Sequence, residues 1–292
     1  NAAMQKQKLP LVFVIILNYN GKNKLNACIS SVLHSDYENL EVVIVDNGSS
    51  DSSFDDARRD FPKCHFIKSS KNFGFSRGNN LGLRWALEKF ADFIFILNND
   101  TLIETTTIST LVATMKKMPK AGIISPLIFK KNGKDVWFAG GKIDWIRMRT
   151  EHILENGFST PRKTEYISGC AMLIRKDVFK KVGLFDERFF LYYEDADLSL
   201  RASRRGFELY IVPAARIVHL EQSSTENAAK TYWLVVSALL FFKIHANILQ
   251  RTWHVFYLAA RRTKNIYDLF FKKSRTAEEV RRAYRDFKTI SF

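Results

Sequence analysis

An α/β fold is what this 292-residue sequence predicts: an open, mostly parallel sheet flanked by helices, with a helical extension at the C-terminal end. Three observations carry that expectation. Short apolar runs alternate with stretches of helical spacing from Leu11 to Phe90, the pattern of strands joined by crossover helices. Three of the apolar runs end in Asn or Asp, at the strand ends where open sheets bind ligands. Beyond Thr225 the spacing is helical to near the end of the chain. With 46% hydrophobic and 13% aromatic residues, the chain has material for a sizeable core, which excludes global disorder.

The elements follow in order. Leu11–Asn18, LVFVIILN, reads as a buried strand, and Lys22–Leu33 carries helical spacing. LEVVIVDN is a second strand ending at Asp46, followed by a helix through Phe54–Arg59 and a short strand, HFIK. A glycine-bearing loop, GFSRG (Gly74–Gly78), then opens a helix from Asn79 to Phe90. Its backbone N–H groups and Arg77 are expected to face an anion, with an ordinary helix start as the competing account. GFSRG also matches a hydrolase nucleophile turn, but its lead-in is a polar loop instead of a strand, so Ser76 is not read as a nucleophile. The run FIFILNNDTLI, Phe93–Ile103, is a buried strand that breaks into Asn98, Asn99 and Asp100.

From Pro126 to Pro161 the pattern loosens into a β-rich or irregular excursion. Order returns from Ala171 with a strand, a short helix, an aromatic loop and a second helix, and FELYIVPAARIVHLEQSS holds two short strands. The densest acidic cluster is YYEDADLSLR. Within it Asp197 and Arg201, four apart, read as a surface ion pair. Glu194 and Asp195 follow the aromatic run FFLYY, whose exclusion of water would raise a carboxyl's proton affinity and suit a general base. His219 closes the strand ARIVH. It reads as a structural residue or, with Asp100 and two phosphate oxygens, as a ligand of a divalent metal.

The net charge is +15, and from Lys243 onward twelve Lys or Arg face four Asp or Glu. Such a tail suits nucleic acid, an anionic membrane or a phosphorylated substrate; no nucleic-acid motif accompanies it, and no nucleic-acid partner is expected. From Trp233 to Phe271 aromatic residues alternate with Lys, Arg and His, as in a core-packing helix with a basic face or a helix lying in a membrane interface. The longest nearly uncharged run, Thr231–Phe242, falls short of the roughly 20 residues that span a bilayer. Cys28, Cys64 and Cys170 are far apart and odd in number, which points to a reducing compartment and to no zinc site. No signal peptide is visible, and the Asn-Ala-Ala before Met4 reads as an expression remnant.

Six stretches, ILNYNG, VVIVDNGSSD, NFGFSRGNNLG, FILNND, SGCAMLIRKDVFKKVGLFDERFFLYYEDADLSLRASRRGF and VPAARIVH, occur in one order between Pro10 and Ser224. Together they resemble glycosyltransferase family 2, in its rhamnosyltransferase-like branch. The resemblance implies a GT-A fold over residues 10–225, with residues 1–9 as a tail and 226–292 as a basic, aromatic extension for a membrane surface or a partner. It implies an inverting, metal-dependent transfer from a nucleotide-diphosphate sugar, UDP- or dTDP-linked, to a hydroxyl of a saccharide, expected to be lipid-linked, for cell-surface polysaccharide. Asp195 matches the catalytic base. Asp100 and His219 match the ligands of Mn²⁺ or Mg²⁺, and Asp46 the contact to base or ribose. Asn98 is expected against the ribose or sugar, with Asn18, Asn72, Arg77, Asn79 and Asn99 completing the donor side. Trp137, Gly169 and Glu194 are expected on the acceptor side.

The chain departs from the pattern at Asn98, where relatives carry the first acid of D-x-D, and at Gly78-Asn79-Asn80, where many have A-R-N. The Q-x-x-R-W of processive synthases is missing, which implies addition of one or a few sugars. The expected location is the cytoplasmic face of the cell membrane, peripherally bound. A nucleotidyltransferase that makes an activated sugar, or a non-catalytic membrane-associated partner of the same fold, are the competing readings.

Overall fold

The structure is a computed structural model that describes residues 9–220, 228–272 and 275–289. The Asn-Ala-Ala stretch and the helix start expected at Thr225 lie outside the described residues. The first half alternates as the apolar runs require: β1 (Val12–Asn18), α1 (Leu25–Leu33), β2 (Leu40–Asp46), α2 (Ser53–Asp60), β3 (His65–Lys68), α3 (Gly74–Glu88) and β4 (Phe93–Asn98). Next come β5 (Thr101–Ile103), α4 (Thr107–Lys117), β6 (Ala121–Lys130), β7 (Val136–Phe138), β8 (Gly141–Asp144), β9 (Arg149–His152) and β10 (Arg162–Lys163). The chain closes with β11 (Ala171–Arg175), α5 (Lys176–Val182), α6 (Glu194–Arg204), β12 (Glu208–His219), α7 (Ala228–His245), α8 (Ile248–Lys272) and α9 (Arg275–Thr289).

The main sheet runs in the order β10-β12-β6-β11-β4-β1-β2-β3, with β5 on β12 and β7 on β6. β3, β2, β1 and β4 are parallel, as are β6 and β12; β11 is inserted antiparallel between β4 and β6. The inner strands are buried along almost their whole length, which is why they read as unbroken apolar runs instead of alternating ones. Register places Asn18 opposite Asp46 and Leu17 opposite Asn98, so three polar strand ends share one edge.

Three elements differ from the sequence expectation. α3 begins at Gly74, five residues before Asn79. Gly74 enters the helix at φ +81°, a conformation that glycine adopts at no steric cost. Gly78 and Gly82 then face Leu17, Ile15 and Val45, letting the helix lie close on the sheet. β12 is one strand of twelve residues, not two short ones. Its register on β6 shifts between Val212, which faces Pro126, and Arg216, which faces Leu127; Pro213 in between has no N–H for the ladder, and a bulge takes up the extra residues. The run after Asp100 leaves β4 altogether, and β5 pairs with β12, setting Thr101 opposite His219.

The extension is not one unit. α7 buries Val236, Leu239, Leu240, Phe241 and Phe242, and Leu240, Phe241 and Phe242 join the core that the sheet residues form. Phe190 stacks on Trp233, and Trp145 on Phe241. The surface ion pair expected of Asp197 and Arg201 is instead buried: Asp197 is 1% exposed and binds Arg201 at 2.7 Å and His245 of α7 at 2.7 Å. Arg204, which can only donate, faces His245 Nδ1 at 3.0 Å, so Nε2 carries the hydrogen given to Asp197. Arg201 also donates to the carbonyls of Val182 and Leu184. α6 is thereby bolted both to the loop before it and to α7. Replacing His245 by Ala is expected to lower the unfolding free energy by about 3 kcal/mol, since it strands one oxygen of a buried carboxylate. Urea titration checks this, and a loss below about 1 kcal/mol would show the bridge to be dispensable.

Candidate active site

The site is built at the carboxyl ends of β1, β2 and β4. Asn18, fully buried, is its hub. Its amide lies within hydrogen-bond reach of Asp46 (3.1 Å), Ser49 (3.2 Å) and Ser53 (2.9 Å), while its carbonyl accepts from Asn99 at 2.9 Å. One side chain thus ties the ends of the three strands together. A Cβ at Gly21 would strike both Asn18 and Asn99, so the turn after β1 needs glycine there. Asp46 also accepts from the backbone N–H of Ser49. Asn47 donates to Asn72 and to the Gly74 carbonyl, and accepts from Phe73 N–H.

The start of α3 differs from the anion cradle expected of it. The N–H groups of Phe73, Gly74 and Phe75 are taken by Asn47, Asn72 and the Phe190 carbonyl. Arg77 stands on the exposed side, stacked over the Phe73 ring and 3.8 Å from Glu187. Asn79 is buried and donates to the Phe75 carbonyl, but its own side-chain oxygen has no hydrogen-bond partner, nor has the buried Ser76 hydroxyl. Asn80 is pinned to the Phe185 backbone.

Asp100 and His219, far apart in sequence, meet because β5 pairs with β12. Asp100 Oδ1 lies 3.2 Å from His219 Nε2, and the Leu220 N–H donates to the Asp100 carbonyl. Both residues are buried, and neither ring nitrogen of His219 makes a hydrogen bond. Trp137 packs edge-on against His219 with centroids 4.7 Å apart. A buried imidazole with an uncommitted nitrogen facing a carboxylate oxygen fits a divalent cation with mixed N and O ligation. Among the described residues no cluster of three or more His, Cys, Asp or Glu is present, so remaining coordination positions would fall to substrate oxygens or water. Lys24 reaches within 3.9 Å of the other Asp100 oxygen and adds positive charge on that side.

Asp195 opens α6 and is held by two backbone donors, Gly169 N–H at 2.9 Å and Ala196 N–H at 2.7 Å. The next residue, Cys170, accepts through its carbonyl from Asn98 N–H at 3.0 Å, so one short segment links the acid to the end of β4. Burial raises the Asp195 proton affinity above that of an ordinary aspartate, against the lowering effect of those two N–H groups. Glu194 is more strongly affected: burial, then the neighbouring Asp195 charge, push its carboxyl well up, and its Oε2 has no hydrogen-bond partner. Tyr192 and Tyr193, immediately before, both adopt left-handed backbone, φ 70° and 66°. Two such residues in a row are strained, and strain of this kind gathers at functional sites. The Tyr193 hydroxyl accepts from Thr150 N–H of β9, and burial pushes its phenol up to about 12.

Sequence reasoning missed Lys24, Ser49, Ser53 and the strained tyrosines. NGKNK and NGSSDSS offered polar turn residues with nothing to single them out, and tyrosine carries no signal for positive φ. The three cysteines are buried and form no disulfide, and burial pushes the Cys28 thiol up to about 12, away from the reactive thiolate.

A mostly parallel sheet with this strand order and polar strand ends defines an α/β fold of the GT-A type. Solved structures agree on the fold. Crystalline GalNAc-T7 with UDP, GalNAc and Mn²⁺ superimposes with a TM-score of 0.72 at 17% identity over 88% of this chain, and Staphylococcus aureus TarS with 0.57 at 15% over 95%. The chain spans about half the length of each, 51% and 54%. The glycosyl transferase family 2 model matches residues 13–183, more than half of the sequence, and the chain belongs to that family. Among curated relatives it is similar to the dTDP-rhamnosyl transferase RfbF of Shigella flexneri, 30% identical over 71% of this chain and 68% of that one. It is also similar to the N-acetylglucosaminyl-diphospho-decaprenol L-rhamnosyltransferase of Mycobacterium tuberculosis, 26% identical over 73% and 76% of the two chains.

Proposed function

We propose that this glycosyltransferase moves rhamnose or another hexose, with inversion, from a dTDP- or UDP-linked donor to a hydroxyl of a lipid-linked saccharide during cell-surface polysaccharide synthesis, at the inner face of the cell membrane. The names of the two curated relatives support the sugar and the acceptor class. The observation that carries the reaction type is Asp195: one carboxylate of raised proton affinity, held by Gly169 N–H and joined through Cys170 to the end of β4.

In this reading the acceptor O–H gives its proton to Asp195 as its oxygen bonds the anomeric carbon. The bond from that carbon to the diphosphate oxygen breaks on the opposite side, its electron pair leaving with the nucleoside diphosphate. Inversion needs one base, and one suffices. Asp46 and the Asn18 hub form the wall for base and ribose, with Asn98 and Asn99 toward the sugar and Asn72, Arg77 and Asn79 around the opening of α3. Asp100 and His219 would hold Mn²⁺ or Mg²⁺, which supplies charge stabilisation for the leaving diphosphate. Trp137, Gly169 and Glu194 border the acceptor.

Thermal-shift measurements with UDP-, dTDP- and GDP-sugars, with and without Mn²⁺, test the donor. Stabilisation by a dTDP- or UDP-sugar that grows with Mn²⁺ is expected, and turnover should release a nucleoside diphosphate. Release of pyrophosphate would overturn the reading.

A further inference from the structure

With α7 built into the core, α8 is left with one face on the protein and the other in water. Its inner face is fixed by His254 Nε2, which donates to the Trp145 carbonyl at 2.7 Å, and by Trp253 Nε1, which donates to that of Ile146 at 2.9 Å. Its outer face carries Leu249, Phe256, Ile266 and Phe270, which are 78%, 67%, 54% and 76% exposed. At about 100° per residue these four fall within an arc of about 100°, and every Lys, Arg and Asp of the helix falls outside it. Ile146, at the tip of the β8–β9 hairpin beneath, is itself 65% exposed and extends the apolar surface.

We infer that the outer face of α8 lies in the interface of an anionic lipid bilayer, parallel to its plane. Among the described residues no helix is long and apolar enough to cross a membrane, and α8 with its charged side is built to lie flat. Charge selects the occupant. Between Ile248 and Lys272 there are five Lys or Arg and a single acid, Asp268, which pairs with Lys264 at 2.9 Å. A second copy seated on this face would bring Arg251 and Arg262, which border it on one side, against their equals, whereas anionic headgroups complement them.

The same surface adjoins the site. The β8–β9 hairpin that supports α8 supplies the Thr150 N–H held by Tyr193, two residues before Asp195. A lipid-linked acceptor anchored in that bilayer would therefore enter beside the base; this last step rests on the acceptor proposed above, and the bilayer contact does not.

Flotation of the full chain with vesicles tests the inference. Binding is expected to vesicles of phosphatidylcholine and phosphatidylglycerol at about three to one, and to weaken at least about tenfold on pure phosphatidylcholine or in high salt. Phe256→Glu with Phe270→Glu should cost at least about tenfold in binding while leaving the thermal melt and the shift with nucleotide sugar unchanged. Undiminished binding by that variant, or no binding of the parent chain to the mixed vesicles, would overturn the inference. So would a dimer in light scattering that the variant dissolves while the parent chain ignores vesicles, which would assign the face to a second copy. Vesicle binding without any nucleotide-sugar shift would count against the donor reading and leave the bilayer contact standing.

Discussion

Asp195→Asn is expected to reduce the transfer rate by at least about 10³-fold while leaving donor binding intact. The substitution keeps the size and shape of the side chain but removes the carboxylate proposed above to take the acceptor proton. One amide oxygen can still accept from Gly169 or from Ala196, and the other N–H then loses its partner, at a cost of about 1 kcal/mol. A small fall in stability with a large fall in kcat separates chemistry from folding. Burial raises the Asp195 proton affinity, so the ionised base is lost as pH falls through a value above the ordinary aspartate range. The acid limb of kcat/KM should therefore lie above the roughly 3.9 of a free aspartate and vanish in the Asn variant. Transfer at the parental rate by Asp195→Asn would remove Asp195 from the role of base.

The prominence of Asp195 could be reasoned from its aromatic neighbourhood, yet what makes the neighbourhood could not. FFLYY announces exclusion of water, but the consecutive left-handed tyrosines that turn the chain into α6 follow from contacts to Thr150 and Phe241, distant in sequence. The inner strands β1, β2 and β4 were legible because burial on both faces writes an unbroken apolar run. β12 was not, because Pro213 and Ala214-Ala215 look like a loop until the pairing with β6 on both sides of them shows a bulge within one strand. Likewise GFSRG reads as a loop by composition, whereas Gly74 lies against Phe190 and Gly78 and Gly82, four apart, let a helix press on β1 and β2. In each case the missing information was a non-local pairing.

The tail shows the same division. Its alternation of aromatic and basic residues fits a core helix and an interfacial helix alike, and the structure contains a core helix followed by one with an exposed apolar face. Tyr232, Trp233 and Phe241 of α7 meet α9, the Phe190 loop and Trp145. Phe256 and Phe270 of α8 meet nothing comparable, being 67% and 76% exposed. The end of α7 is further held by His245, which donates to the buried Asp197.

Asp100→Ala should lower transfer by about 10³-fold and, independently of turnover, abolish the extra thermal stabilisation that Mn²⁺ adds to a bound nucleoside diphosphate. With only His219 left, one nitrogen ligand cannot hold a hard cation against water. His219→Ala should act in the same direction and less severely, because carboxylate oxygen is the preferred donor for Mg²⁺ and Mn²⁺. The double variant should be little worse than Asp100→Ala, as expected when two residues act as one unit. Asn98 makes the comparison sharper. With an amide at Asn98, the proposed two-residue site has one full negative charge, from Asp100, with Lys24 at 3.9 Å opposing it. Metal without nucleotide should therefore bind weakly, and Asn98→Asp should strengthen it by adding a second negative charge at the same strand end. Calorimetry with Mn²⁺ alone and with UDP or dTDP present reads both effects. Equal Mn²⁺ affinity in the parent chain and in Asp100→Ala, with nucleotide bound, would take the metal away from Asp100.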